Sequence, residues 1–425
     1  MDFYFNFLAQ NNFNALRLPF NHKAVRQNSF IPLASFSPIL NPELINVHTG
    51  TPVRYLEMLQ AIADAAAKHN ILVVLACDRL SADAFPGNGL WYEEHGALDE
   101  AATQDSWSRL AQALCGKWNV VAADLMNEPH KATWAKNDPR TDWDKGATRV
   151  GNHVLNQCGR WLILVQGIYM GATGDGGASK GYWWGENLWG AIKHPIALSI
   201  PSKLVYAPHT YGPSVYEHHY FRREEGFPDN MPSIWNQHFL NARKPSTTPF
   251  VVGQMGGSCA SDADRQWHEK AVSFFQTQRV GVFYVALNPT WQQGGLLKDD
   301  WRTPNTDKLE ALSLLPSTDV ASLLPPSPPP PPGCRWKPGT PCHFACTMTN
   351  TLAGCTDTGR ADMETFEAGG PCFYCGHFNG DPAQCVTRYF QVPNLDTVEL
   401  KRCEFVEGVC TCLLYTSDAA DEEDS

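Results

Sequence analysis

The stretch VVAADLMNEP, residues 120–129, decides how this chain is expected to fold. Its small and β-branched apolar residues end in two polar side chains, Asn127 and Glu128, and then in Pro129. A continuous apolar run of this length is typical of a parallel strand that is buried on both faces. Because a proline cannot continue the ladder, the two polar side chains are expected at the C-terminal end of the sheet, where parallel barrels place their functional residues.

Six further apolar runs resemble this one, and they alternate with segments of helical spacing such as residues 51–70. Such alternation indicates βα units around a parallel sheet. We therefore expect an α/β fold of the (β/α)8 TIM-barrel class. The six runs are FNALRLPF (13–20), ILVVLAC (71–77), WLILVQG (161–167), LVYAPHTY (204–211), PFVVGQ (249–254) and VGVFYVALN (280–288).

Seven strand patterns are visible instead of eight, because the chain opens on a helical pattern at residues 2–10. We expect a barrel that lacks its first strand through truncation of the sequence at its N-terminus. The opening stretch MDFYFNFLAQNN also has neither the basic start nor the cleavage site of a signal peptide. We expect a secreted or cell-wall-associated protein whose signal peptide was lost with the same truncation.

The composition divides the chain into four parts. Residues 1–320 form the predicted barrel domain, residues 321–333 a proline-rich linker, residues 334–412 a cysteine-rich module, and residues 413–425 an acidic tail that is disordered or artefactual. Ten of the 14 cysteines lie in the module, which predicts a disulfide framework and an oxidising compartment. The alternative is zinc, for which PCFYC supplies one C-x-x-C pair at 372–375 without a second well-spaced pair.

The formal net charge of −11 argues against a nucleic-acid partner. No apolar run approaches the length that is needed to cross a bilayer, so no membrane partner is expected. We expect a monomer. No cluster with metal-ligand spacing is evident in the barrel sequence, and no cofactor is implied.

Several motifs that follow the strand patterns occur in the order found in one known family. Together they resemble glycoside hydrolase family 5, specifically its bacterial-type cellulases (endo-β-1,4-glucanases), from about residue 1 to residue 303. The resemblance implies a β-1,4-glucan partner and retaining hydrolysis by two carboxyl groups about 5–5.5 Å apart. The motifs are FNALRLPF, GLWYEE, VVAADLMNEPH, RWLILVQG, GYWWGENLWGA, KLVYAPHTYGPSVY, PFVVGQMGG and ALNPTWQQGGLLKDDW.

The resemblance assigns roles to individual residues. Glu128 matches the acid/base, and Asn127 matches the residue that hydrogen-bonds the sugar 2-OH. Arg17 matches an arginine that supports the charge of the nucleophile. His209 and Tyr211 match the pair that flanks the two catalytic carboxyl groups.

The nucleophile position departs from the family, because Gln254 stands where the family has Glu. An amide carries no charge to stabilise an oxocarbenium-like centre and no anionic lone pair to attack it. Several changes together favour natural drift after loss of the chemistry over a single engineered substitution. We therefore expect impaired catalysis. The other departures are Asp78 for His, Val285 for Trp, Met126 for His and Gln166 for Glu.

Tryptophans that follow the strands favour a glycan partner, because flat indoles can stack on the apolar faces of sugar rings. We expect Trp91, Trp184 and Trp291 to contact the substrate. Three functions stay open from the sequence: a β-glucan hydrolase with impaired chemistry, a non-catalytic glycan-binding protein, and a structural wall protein in which the barrel is a carrier.

Overall fold

A computed structural model describes residues 1–38, 41–47, 49–83, 87–174, 180–243, 248–289 and 294–324. Beyond these it describes the backbone of five strands between residues 344 and 412. The chain divides into two compact units, Met1–Leu324 and Pro325–Ser425. The first unit therefore contains the whole predicted barrel domain.

Parallel strands form the centre of the first unit. Five of them pair in chain order, from β1 to β5, and three more pair in the order β6, β7, β8. The strands are β1 (Ala15–Asn21), β2 (Leu72–Arg79), β3 (Val120–Asp124), β4 (Leu162–Val165), β5 (Leu204–Tyr206), β6 (His209–Tyr211), β7 (Val251–Gly256) and β8 (Gly281–Tyr284).

The run LVYAPHTY (204–211), predicted as one strand, is present as two short strands, β5 and β6. Pro208 lies between them and has no N–H to donate to a ladder. A parallel bridge between Tyr206 and Phe250 connects the end of β5 to the start of the β7 segment. The two sheets therefore follow one another around the barrel, and the predicted barrel architecture is confirmed.

Helices connect the strands and cover the sheets. Asp99 and Ser261 cap the helices α4 and α7 by accepting hydrogen bonds from the backbone N–H groups three residues on. The helices are α1 (Asp2–Gln10), α2 (His22–Gln27), α3 (Tyr55–Lys68), α4 (Glu100–Leu114), α5 (Trp143–Gln157), α6 (Met231–His238), α7 (Asp262–Gln278) and α8 (Thr306–Leu312). Among the described residues, no helix combines the length and apolar character of a bilayer-spanning segment.

The edges of β1 and β8 that face each other are not paired within the described part of the chain. Most residues of β1 are partly exposed, whereas β2 is buried from Val73 to Cys77. A cavity of about 800 Å³ lies between these edges, and its lining includes Phe13, Val282 and Leu312. Unpaired edges of this kind are uncommon in closed barrels. The truncation itself stays a prediction.

A disulfide joins Cys115, directly after α4, to Cys158, directly after α5. The two cysteines are 43 residues apart, and the sequence analysis did not pair them. Beside the bond, the Arg160 guanidinium donates to the backbone carbonyls of Cys115 and Val120, among others. The helix ends and the start of β3 are therefore held together covalently and by hydrogen bonds.

The second unit contains two antiparallel sheets, which are described by backbone alone. One pairs β9 (Phe344–Thr349) with β10 (Leu352–Asp357). The other has β11 (Tyr389–Pro393), β12 (Val398–Val406) and β13 (Val409–Cys412) in that order. The predicted module disulfides, the zinc alternative, most of the linker and the acidic tail lie outside the described residues and side chains.

Candidate active site

The predicted site residues converge at the C-terminal ends of the strands. Arg17 lies on β1, and the 127–128 pair follows β3. His209 and Tyr211 lie on β6, and His209 stands directly beside Gln254 of β7 in the parallel register. The structure therefore brings together the residues that the sequence places on four different strands.

Glu128 is held by its backbone and by its carboxylate. Its φ of +46° lies in the left-handed region, which is strained for a residue with a Cβ. Its N–H donates to Gln166 Oε1 at 2.7 Å. Gly185 lies against it, because a Cβ at that glycine would be 3.2 Å from Glu128 Cγ. The carboxyl group is thus fixed in direction while its side chain keeps 20% exposure.

The Glu128 carboxylate has two hydrogen-bonding neighbours on β6. His209 Nδ1 lies 2.9 Å from its Oε1, and the Tyr211 hydroxyl lies 3.3 Å from the same oxygen. Burial lowers the pKa of His209, so the neutral imidazole with its proton on Nδ1 fits this contact. Burial, reinforced by the Glu128 charge, raises the pKa of Tyr211 well above its usual value. Both groups are therefore neutral. His209 donates to Glu128, whereas the single hydroxyl proton of Tyr211 is donated to its closer acceptor, Gln254.

Gln254 takes part in the same network as a neutral amide. Its Oε1 accepts a short hydrogen bond from the Tyr211 hydroxyl, and its Nε2 donates to Asn127 Oδ1 at 3.2 Å. Since one hydroxyl contacts both Glu128 and Gln254, the two contacted oxygens lie close together. A retaining glycosidase needs its two catalytic carboxyl groups as near neighbours, about 5–5.5 Å apart.

Arg17 is one step removed from Gln254. Its Nε donates to Asp124 Oδ2 at 2.8 Å and its Nη2 to Asn127 Oδ1 at 3.0 Å. Asp124 is fully buried and also accepts from Gln166 Nε2 at 2.9–3.0 Å. The charge of Arg17 is therefore balanced by Asp124, which the sequence analysis missed. The signal in the sequence was an acidic residue at the end of an apolar strand run, because a carboxylate that is buried there needs a partner.

Asn127 is oriented by these contacts. Its Oδ1 accepts from Arg17 and from Gln254, which leaves its Nδ2 without a hydrogen bond to the described residues. Asn127 is partly exposed, so this amide group can donate to a bound ligand.

The other departures are also placed by the structure. Asp78 forms an ion pair with its neighbour Arg79 at 2.7 Å. Val285 is partly buried and donates its N–H to Met255 O, so an aliphatic group stands where the sequence resemblance expects an indole. Met126 is buried, with its sulfur 3.7 Å from Cys77 Sγ. Of these three residues only Asp78 carries a charge, and its carboxylate is paired with Arg79.

The three predicted aromatic contacts have different outcomes. Trp91 is 2% exposed, donates its indole N–H to Glu100 and packs on Trp143, so the structure places it in the core and not at the cleft. Trp184 is partly exposed and stacks on His130, with ring centroids 3.9 Å apart. Trp291 lies outside the described residues.

Trp184 is held near Glu128 by its neighbour in the chain and by the histidine on which it stacks. The next residue is Gly185, which packs against Glu128, and His130 Nδ1 lies 3.1 Å from the Glu128 carbonyl. Trp183, which the sequence analysis did not select, meets the Tyr211 ring edge-on at 5.3 Å. Aromatic rings therefore flank both Glu128 and Tyr211.

Comparisons of the sequence with known proteins find one matching family and several relatives. The profile of the cellulase family (glycosyl hydrolase family 5) matches residues 2–290. An endoglucanase of Paenibacillus polymyxa is 31% identical over 320 residues, which cover 73% of this chain and 76% of that protein. The major extracellular endoglucanase of Xanthomonas campestris pv. campestris is 32% identical over 313 residues, 71% of this chain and 60% of that protein.

Solved structures of endocellulases are also similar to this chain. A structure of the endocellulase from Pyrococcus horikoshii has 32% sequence identity and a TM-score of 0.67, and it covers 73% of this chain and 85% of that one. A related structure of that enzyme contains cellotetraose; it has 31% identity and a TM-score of 0.65 over the same shares of the two chains.

Proposed function

The chain belongs to glycosyl hydrolase family 5, the cellulases, and we propose that its first unit binds β-1,4-glucan in the cleft beside Glu128 with at most weak hydrolysis. The observation that carries the proposal is the place of Gln254. It lies close to Glu128, because both residues contact the Tyr211 hydroxyl, and it is a neutral amide that already hydrogen-bonds Tyr211 and Asn127.

The sugar-binding part of the proposal rests on groups that the site retains. The Asn127 side chain is fixed by two donors to its oxygen, and its Nδ2 is left to donate to a ligand. The Trp184 ring is partly exposed next to Glu128. Because the acid protonates the leaving-group oxygen, an aromatic ring beside Glu128 would stack on the leaving-group side of the glucan.

The loss of chemistry follows from charge. In a retaining enzyme the second carboxylate attacks the sugar and stabilises the positive charge of the transition state. Gln254 can do neither, Arg17 and Val285 carry no negative charge, and the Asp78 carboxylate is already paired with Arg79. Removing a single stabilising group from a preorganised site costs on the order of 10²–10³-fold in rate, so loss of the nucleophile is expected to cost more.

We propose a secreted, monomeric protein. The Cys115–Cys158 disulfide supports an oxidising compartment, and the Xanthomonas relative is named as extracellular. A role as a structural wall protein has no specific observation in its favour among the described residues.

Binding is tested with cellotetraose and the intact chain by isothermal titration calorimetry. The unmodified protein is expected to bind, and Trp184→Ala to weaken binding by about 10-fold or more, in line with about 1–3 kcal/mol for a stacked ring. Trp118→Ala is the matched control, because this exposed indole lies between α4 and β3, at the opposite end of the strands. No binding by the unmodified chain would refute the proposal.

A further inference from the structure

Three different metal-ligand side chains meet beyond the end of β7. Cys259, Asp264 and His268 are buried, and one ligand atom from each lies within 4.8 Å of the others. The mechanism proposed for the cleft uses none of them. They form the only group of this kind in the described part of the chain.

The local sequence brings these residues together through the spacing C-x4-D-x3-H. Asp264 lies in the first turn of α7, and His268 follows one turn later on the same face. Cys259 has a φ of +57°, which turns the loop back over the start of the helix. Its N–H then donates to Asp264 Oδ2 at 2.5 Å. This backbone hydrogen bond therefore places the Cys259 thiol beside the first turn of α7.

The histidine is oriented as a ligand. His268 Nδ1 lies 2.8 Å from the Asp264 carbonyl oxygen, so the proton belongs on Nδ1 and the lone pair on Nε2. Fixing a ring by a carbonyl on its other nitrogen is the usual arrangement around metal-bound histidines. The Tyr284 hydroxyl, 3.1 Å from Nε2, is the group that a metal would displace or use as a further ligand.

The surroundings set the charge balance. Ser214 holds Asp264 Oδ1, and the Cys259 N–H holds Oδ2 at 2.5 Å. Oδ2 also has a long hydroxyl contact of 3.4 Å from Ser258, which is the contact that a metal could replace. Lys308 is buried nearby and donates to the carbonyls of Gly257 and Gly294. Burial raises the pKa of the Cys259 thiol to about 11, and the positive charge of Lys308 offsets that rise only in part, so a bound metal has to displace the thiol proton.

We propose that Cys259, Asp264 and His268 bind one soft divalent cation of the Zn²⁺ class. Thiolate, imidazole and carboxylate together are typical zinc ligands, and the fourth position is left for water or the Tyr284 hydroxyl. Binding converts the Cys259 thiol to a thiolate and releases its proton to solvent. The site would link the loop after β7 to α7, and through Asp264 and Ser214 to the loop after β6.

The test is a titration of the intact, non-reduced chain with Co²⁺, followed by absorption spectroscopy. We expect one equivalent to produce a near-ultraviolet thiolate-to-cobalt charge-transfer band, which Zn²⁺ then removes. Cys259→Ser should lose the band, and Cys77→Ser should keep it, because Cys77 is the other free buried thiol among the described residues. A band that is absent from the unmodified chain, or that persists in Cys259→Ser, would overturn the proposal.

A second variant covers the case in which Cys259→Ser does not fold. His268→Gln keeps the thiol and removes one ligand, so its dissociation constant for Co²⁺ should rise by more than the 10–100-fold that loss of a supporting residue costs. An unchanged dissociation constant would show that His268 is not a ligand and that the cluster is only a hydrogen-bonded structural hub.

Discussion

The Tyr211 hydroxyl lies between Glu128 and Gln254, 3.3 Å from the Glu128 Oε1 atom and hydrogen-bonded to the Gln254 Oε1 atom. One side chain thus contacts both of the residues that we propose as the catalytic positions. We propose that these two residues stand at the positions of a retaining pair, in which Gln254 contributes an amide and no charge. In the function that we propose, the cleft keeps the acid/base carboxyl of the family and lacks its nucleophile.

Restoring the carboxylate should recover part of the family's activity. In Gln254→Glu the Tyr211 hydroxyl would donate to a charged acceptor, and the nucleophile would face Glu128. We expect kcat/KM for an aryl β-cellobioside to rise by about 10²-fold or more, yet to stay below that of a typical family member. The reason is that Val285 supplies no indole and Asp78 alters the charge of the cleft.

Gln254→Ala serves as the control for this experiment, since it removes the amide without adding a charge. Its turnover should stay at the level of the unmodified protein. If Gln254→Glu is as slow as Gln254→Ala, the other departures have abolished catalysis by themselves.

Buried histidines should make the fold less stable in acid. Burial lowers the pKa of His22 to about 3, far below its unfolded value near 6.5. The unfolded chain binds that proton first, so stability is lost as the pH falls from about 6.5 toward 3. Each pH unit in this window costs about 1.4 kcal/mol for one such group.

Urea unfolding at pH 7 and pH 4.5, followed by tryptophan fluorescence, checks this. The unmodified chain should lose about 2–3 kcal/mol more than His22→Gln over the same interval. Equal losses in the two proteins would show that His22 is not the titrating group.

The Cys115–Cys158 disulfide should contribute substantially to stability. In the chain-entropy model, a loop of 43 residues corresponds to about 4 kcal/mol at 25 °C. Cys115→Ser/Cys158→Ser is therefore expected to lower the free energy of unfolding of the first unit by that order. Urea denaturation measures it, and a difference below about 1 kcal/mol would mean that the bond contributes little.

The open edges of β1 and β8 should accept one more parallel strand. A fusion that places a β-branched apolar strand and a short connector before α1 would supply hydrogen bonds to both edges and fill the cavity of about 800 Å³. We expect a higher melting temperature and less aggregation than for a fusion of equal length rich in Gly and Ser. Identical melting of the two fusions would contradict this.

The strands and the convergence of the site could be predicted because both depend on local pattern. Apolar runs that end in a breaker mark parallel strands, and the ends of such strands meet at one face. The structure has Glu128, His209, Tyr211 and Gln254 at that face, and the family resemblance had selected these four residues among the polar side chains near the strand ends.

What could not be predicted depends on contacts between distant residues. The burial of Trp91 follows from packing on Trp143, and the pairing of Arg17 with Asp124 spans more than 100 residues. The pairing of Cys115 with Cys158 depends on where two helices end. The break between β5 and β6 did have a local signal, because Pro208 lies within the run that was predicted as one strand.

The central claim is that this cleft retains an acid/base carboxyl but no nucleophile. The most direct measurement is kcat/KM for an aryl β-cellobioside with the unmodified chain, Glu128→Gln and Asp78→Asn. We predict negligible turnover in the unmodified chain, indistinguishable from that of both variants. Measurable turnover in the unmodified chain that disappears in both variants would contradict the claim, because it would show that the chemistry runs between Glu128 and Asp78.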